Sequence, residues 1–153
     1  MATAADLLAI PEAERFHEVI DAELVRKASP SGPHAYAQVS LAAQISRPYD
    51  RRRGDEAPGG WRILVGVEVE FATHDVYWPD VVGWCRERLP ELSDQIPITV
   101  RPDWVCEILS PSNAANDLVK KMRGYHRGGV PHYWIADPRE ETLTVYRLSL
   151  IHI

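Results

Sequence analysis

The sequence predicts one domain of the α/β class, in which a mixed β-sheet is flanked by helices. Residues 104–109 are apolar on both alternating faces apart from one acid, which is typical of a strand at the centre of a sheet. Residues 34–53 repeat apolar side chains at helical spacing, and a second helix is expected between the turn at 110–113 and the glycines at 128–129. A chain of 153 residues can bury a single core, so we expect residues 1–153 to form one domain.

The first half of the chain should begin with a short helix around residues 4–8. Interspersed apolar residues then predict a hairpin that turns near Asp21 and Ala22, before the helix that begins at about His34. Residues 61–71 have the character of two strands separated by a glycine. The core sheet should begin there.

Residues 76–84 predict the next strand, although Pro79 lies within it. Because proline cannot donate a hydrogen bond to the ladder, we expect the strand to be kinked, bulged or unpaired at that point. Residues 86–101 are polar and interrupted by prolines, which indicates a connecting loop. Beyond the second helix, residues 132–136 and 142–146 should close the fold as two strands.

The composition argues against several classes of protein. The net charge of −5 does not favour a protein that binds nucleic acid mainly through its phosphates, and the basic run at 51–53 is either a solvated helix end or a local DNA contact. No stretch reaches the ~18 apolar residues of a membrane span, and the N-terminus lacks the segments of a secretory signal. Cys85 and Cys106 should be packing thiols. We therefore expect a cytoplasmic protein that contacts no membrane.

Glu107 lies within the predicted central strand and should be buried. Removing an ionised carboxylate from water costs several kcal/mol even after relaxation, so Glu107 requires a partner charge, a metal ion or a set of donors. The candidates are Asp80, which follows Pro79, and Lys121, on the helix after the central strand. Two acids and a lysine indicate metal-assisted hydrolysis.

Geometry selects among neighbouring residues of the same type. Asp103 lies four residues before the buried glutamate on one strand, about 13 Å away at ~3.3 Å per residue, which is too far for a shared metal ion. Asp80 lies on another strand, and neighbouring strands are only about 4.8 Å apart. Helical phase turns Lys121 toward the sheet and Lys120 away from it, although Lys121 could instead form a surface ion pair with Asp117.

The order of these motifs resembles the PD-(D/E)XK nuclease superfamily. The matching stretches are Pro79-Asp80-Val81-Val82, Glu107-Ile108-Leu109-Ser110-Pro111-Ser112, Asp117 with Lys121 and Tyr125, and Gly129-Val130-Pro131-His132-Tyr133-Trp134-Ile135-Ala136-Asp137-Pro138. More closely, the chain is similar to the bacterial Uma2-like family of restriction endonuclease homologues, over roughly residues 16–147. The resemblance implies a restriction-endonuclease-like core.

Two features depart from the pattern of that superfamily. Its members usually carry lysine two residues after the second acid, where this chain has Leu109, and Lys121 is the position that matches the displaced lysine of the closer branch. Relatives also tend to continue beyond residues 150–153, so we expect a truncated C-terminus.

The resemblance implies hydrolysis of DNA phosphodiester bonds with Mg²⁺, or with Mn²⁺ in its place. Asp80, Glu107 and the backbone carbonyl of Ile108 would hold the ion. Lys121 would orient the attacking water or stabilise the charge that develops on the phosphate. Glu23, in the hairpin, would either complete the outer shell of the metal or remain an exposed carboxylate.

Nucleases of this type that cut both strands often act as dimers, so a homodimer is expected, with aromatic residues near the site strands as its contact. The alternative hypothesis is a noncatalytic binding or structural protein that retains the fold, which the acidic net charge favours. Cleavage of DNA that depends on a divalent cation distinguishes the two hypotheses.

Overall fold

The structure, a computed structural model, describes residues 1–52, 58–111 and 115–148. In chain order its elements are α1 (Ala4–Leu8), β1 (His17–Ile20), β2 (Glu23–Arg26), α2 (Gly32–Tyr49), β3 (Trp61–Leu64), β4 (Val69–Ala72), β5 (Asp75–Tyr77), β6 (Val81–Cys85), β7 (Trp104–Ile108), α3 (Ala115–Arg127), β8 (His132–Asp137) and β9 (Thr142–Arg147). The predicted short helix, hairpin, two long helices and closing strands are therefore confirmed.

Some expectations fall on residues outside the described ranges. These are the last arginine of the basic run at 51–53, the helix start at 112–113 and the chain end at 150–153. Helix α2 ends at Tyr49, so Arg51 and Arg52 follow the helix and do not form its last turn. In the part of the chain that is described, no helix is both long and apolar enough to cross a membrane.

The strands of the described residues form two β-sheets, one of which is the mixed sheet that the sequence predicted. One sheet is antiparallel, with the strand order β2-β1-β5-β4. The other has the order β3-β6-β7-β8-β9 and is mixed, because β7 and β8 pair in parallel while its other pairs are antiparallel. A mixed sheet flanked by helices is thus confirmed, and its central strand β7 is buried at every residue.

The strand predicted over residues 76–84 is divided between the two sheets. Strand β5 belongs to the antiparallel sheet and β6 to the mixed sheet, with Trp78, Pro79 and Asp80 as the link. Proline has no N–H to donate, so the ladder cannot continue through Pro79, and the chain leaves one sheet for the other. Asp80 consequently lies where the two sheets meet.

The two faces of the mixed sheet have different partners. Trp104 and Cys106 of β7 belong to a cluster against which apolar side chains of α2 pack. Val105 belongs to the larger core, together with Tyr125 of α3. Because successive side chains of a strand point to opposite faces, Glu107 lies on the face of Val105 and Tyr125.

The hairpin between β1 and β2 turns at Asp21 and Ala22, whose φ angles of 50° and 65° are both left-handed. Two such residues are what a type I′ hairpin turn requires. The turn is tied to the rest of the molecule, since the Asp21 N–H donates to Asp75 at 3.1 Å and the Arg127 guanidinium binds both carboxylates. These contacts fix β1 against the end of α3.

Helix α3 approaches β5 so closely that position 124 has no room for a side chain. A Cβ atom on Gly124 would lie 1.8 Å from the hydroxyl oxygen of the buried Tyr77. We predict that Gly124→Ala lowers the free energy of unfolding by about 1–3 kcal/mol, measured by urea denaturation. Gly32→Ala is the control, because a Cβ atom there meets nothing within 4 Å. Equal stability of the two variants would contradict this packing.

Candidate active site

A cavity of about 660 Å³ lies at the junction of the two sheets, between the hairpin, α2, β7 and α3. The ionisable residues that line it are Glu18, Arg26, Lys27, His34, Asp80, Glu107 and Lys121. The three residues that the sequence analysis assigned to catalysis, Asp80, Glu107 and Lys121, therefore share one cavity.

Glu107, near the carboxyl end of β7, is 1% exposed and is compensated from α3. Its Oε1 atom accepts a hydrogen bond from Nζ of Lys121 at 3.1 Å and a second from the hydroxyl of Tyr125. Lys121 and Tyr125 are four residues apart and so lie on one face of the helix. Lys121 is buried whereas Lys120 is exposed, as helical phase predicted.

A second carboxylate, that of Glu18 in β1, also binds the Lys121 ammonium, at 2.7 Å. Glu18 is buried, and its Oε1 atom accepts a further hydrogen bond from the backbone N–H of Trp78. Glu18 was not predicted from the sequence. A signal for it exists, because Glu18 lies two residues before the buried Ile20 and a strand turns such residues to the same face.

Asp80 is 2% exposed and is surrounded by donors. Its Oδ2 atom accepts from the Ile108 N–H at 2.8 Å and lies 3.2 Å from Nε2 of His34, while Oδ1 lies 3.3 Å from Nζ of Lys27. The Gln38 side chain donates to the backbone carbonyl of Asp80 at 2.8 Å. His34, Gln38 and Lys27 were not predicted, since nothing local in α2 or the hairpin links them to an acid 42 to 53 residues away.

The two acids differ in how their surroundings act on their charge. Burial, together with the charge of Asp80, raises the pKa of Glu107 to about 7 against the opposing charge of Lys121. Burial alone would also raise the pKa of Asp80, but the hydrogen bond from His34 and the charge of Lys27 hold that pKa below its usual value. The charge of Asp80 therefore disfavours the ionised form of Glu107.

The pair of acids fits a hard divalent cation. Mg²⁺ prefers oxygen ligands, is commonly held by one or two carboxylates and keeps several of its waters. The N–H and C=O of one strand residue point to the same edge, so the Ile108 carbonyl is directed toward the side of Asp80 to which its N–H donates. Among the described residues no group of three His, Cys, Asp or Glu side chains could enclose an ion, so most remaining ligands would be water.

Other acids that the sequence analysis weighed lie elsewhere. Glu23 is exposed at the start of β2, and the structure brings Glu18 of the facing strand to the site in its place. Asp103, which lies directly before β7, accepts the backbone N–H of Cys85 at 2.8 Å. The Asp117 side chain is outside the described part of the chain, and the surface ion pair expected for it is not described.

The aromatic residues near the site divide into two pairs. Trp84 and Tyr133 are fully buried in the larger core. Trp78 and Trp134 are partly exposed, and these two could contribute to a contact between copies of the chain. The expected homodimer stays a prediction.

The fold is of a nuclease-like class. It matches the crystal structure of a putative nuclease of DUF820 from Anabaena variabilis ATCC 29413 with a TM-score of 0.81 and 25% sequence identity, covering 98% of this chain and 82% of that chain. A family model described as "Uma2: Putative restriction endonuclease" matches residues 4–151, and the chain belongs to this family. A search of curated proteins finds no match. The resemblance inferred from the motifs is confirmed.

The ion pair between Glu18 and Lys121 leads to a testable prediction. Glu18→Gln keeps the size of the side chain but removes a charge that compensates the buried ammonium, so the free energy of unfolding should fall by about 1–3 kcal/mol. Urea denaturation measures the change. Glu23→Gln makes the same substitution at an exposed position of the same hairpin and should change the stability by less than ~0.5 kcal/mol. If both variants are as stable as the wild type, Glu18 does not compensate Lys121.

Proposed function

We propose that this protein is a metal-dependent endonuclease that hydrolyses phosphodiester bonds of DNA. The observation that carries the proposal is the pair of buried acids, Asp80 and Glu107, which line one cavity with the buried Lys121. The family description and the structural neighbour, both of which name nucleases, support the same class of reaction. Because restriction endonucleases act on DNA, DNA is the proposed substrate.

Asp80, Glu107 and the Ile108 carbonyl would hold Mg²⁺ or Mn²⁺. When bound, the ion supplies an acidified water and neutralises charge on the phosphate. The protein orients these ligands in advance, since the Ile108 N–H and His34 hold one oxygen of Asp80 while Tyr125 holds Oε1 of Glu107. Metal-binding side chains that are already held in place lose little further conformational freedom when the ion and the substrate bind.

Lys121 would act on the substrate as a hydrogen-bond donor. A lysine ammonium has three N–H groups, and the contacts with Glu18 and Glu107 use two of them. The third N–H would donate to a water or to a phosphate oxygen as negative charge develops there. The two neighbouring carboxylates favour the charged form of Lys121, so it serves as a donor and not as a base.

A noncatalytic protein that retains the fold is the second candidate, and the net charge of −5 favours it. Titration with Mg²⁺ separates the two hypotheses. A saturated site should raise the melting temperature by mass action. A noncatalytic protein without the metal site should show neither this rise nor cleavage.

The two acids provide the direct test of the proposed reaction. Asp80→Asn and Glu107→Gln keep the shape of each side chain and remove its charge, so each should abolish Mg²⁺-dependent nicking of plasmid DNA. Circular dichroism should show that both variants remain folded, and Glu23→Gln should nick at the wild-type rate. Wild-type cutting by Asp80→Asn or Glu107→Gln would mean that the residue is not a required metal ligand.

Substitution of the two adjacent lysines of α3 tests which ammonium contributes to DNA cleavage. Lys121→Met should lower the cleavage rate by roughly 10²-fold or more, the scale of losing one transition-state donor. Lys120→Met removes the same charge from an exposed position and should cut almost normally. Single-turnover cleavage with saturating Mg²⁺ measures both rates. The reverse order of effects would contradict the assignment of Lys121.

A further inference from the structure

Lys27, which follows β2, stands where a cation would bind Asp80. Its Nζ atom lies 3.3 Å from Oδ1 of Asp80. The other carboxylate oxygen, Oδ2, already faces two groups, the N–H of Ile108 and the ring of His34. A carboxylate oxygen has about two lone-pair sites, so Oδ2 has little capacity left. An incoming cation would therefore compete with the Lys27 ammonium for Oδ1.

Lys27 also has partners that do not depend on the carboxylate. Its ammonium donates to the backbone carbonyl of Trp78 and lies 5.8 Å from the centre of the Trp78 ring. The Lys27 side chain is 25% exposed and lines the cavity, whereas that of Asp80 is 2% exposed. The ammonium can thus leave Oδ1 and keep both a hydrogen bond and access to water.

We propose that Lys27 is the counter-ion of Asp80 in the metal-free protein and that a divalent cation displaces its ammonium from Oδ1. The inference rests on the proposed function, because it assumes that Asp80 is a metal ligand. A buried carboxylate needs a compensating charge at all times, and Lys27 supplies that charge until the metal does. Lys27 is accordingly a residue that sets the metal affinity of the site.

The effect of the Lys27 charge on metal affinity has a defined direction. An ammonium and a divalent cation compete for one oxygen and repel each other at close range, so each weakens the binding of the other to Asp80. Removal of the Lys27 charge should therefore strengthen metal binding. A lysine that merely supported the fold, or that helped to hold the metal ligands, would give no change or a loss of affinity.

Isothermal titration with Mn²⁺ alone, at fixed pH and ionic strength, tests this inference without any measurement of cleavage. Lys27→Met keeps the length of the side chain and removes the charge, and it should bind Mn²⁺ at least about fivefold more tightly than the wild type, at the lower end of typical couplings between two ligands. Lys27→Gln is a second neutral variant and should show the same gain. Lys120→Met removes the same charge from the exposed face of α3 and should bind Mn²⁺ as the wild type does.

The outcomes separate this inference from the proposed function. If the wild type binds Mn²⁺ and the neutral Lys27 variants bind it equally or more weakly, Lys27 is not a competitor, while the metal site stands. A gain in Lys120→Met as large as that in Lys27→Met would make the effect one of net charge and would also overturn the inference. If neither the wild type nor the Lys27 variants bind Mn²⁺, the proposed metal site is wrong and the role of Lys27 is wrong with it.

Discussion

The burial of Glu107 is the constraint on which much of this structure depends. A carboxylate that is 1% exposed in a central strand is stable only if charges and donors from other elements reach it. Helix α3 supplies Lys121 and Tyr125, and β1 supplies Glu18, which in turn accepts the N–H of Trp78 in the link between the sheets. One ionic network thus joins both sheets and α3, so the same contacts that hold the site hold the fold.

The two acids of the cavity are held in contrasting ways. Asp80 is surrounded by an N–H, an imidazole and an ammonium that favour its charged form, whereas burial outweighs the ammonium groups near Glu107 and raises the pKa of that acid to about 7. Pairs of acids whose surroundings separate their pKa values are typical of functional sites. A cation between them would reduce the repulsion between the two carboxylates. This is a physical argument for a metal site that does not depend on the family to which the chain belongs.

Local sequence patterns were sufficient for part of this site. The apolar run around Glu107 predicted its burial, and helical phase distinguished Lys121 from Lys120, because both follow from residues close in the chain. Pro79 was expected to leave its strand kinked, bulged or unpaired, and residues 78–80 are indeed outside the strands. No local pattern predicted that these residues also carry the chain from one sheet to the other. That single link decides where Asp80 lies.

Long-range contacts account for what the sequence analysis missed. Lys27 and His34 reach Asp80 from 53 and 46 residues away, because β1 pairs with β5 and α2 packs on the mixed sheet. The family resemblance pointed to Glu23 as the hairpin acid, whereas alternation along β1 places Glu18 on the same face as Ile20 of the larger core. Pairing between distant strands is not encoded in any one segment.

Anomalous scattering from a crystal of this protein soaked in Mn²⁺ tests the central claim most directly. The account predicts one strong peak in the cavity, about 2.1 Å from a carboxylate oxygen of both Asp80 and Glu107, with Nζ of Lys27 turned away from Oδ1. An ion bound without Asp80 and Glu107, or no ion in the cavity at a Mn²⁺ concentration that supports DNA cleavage, would contradict the account.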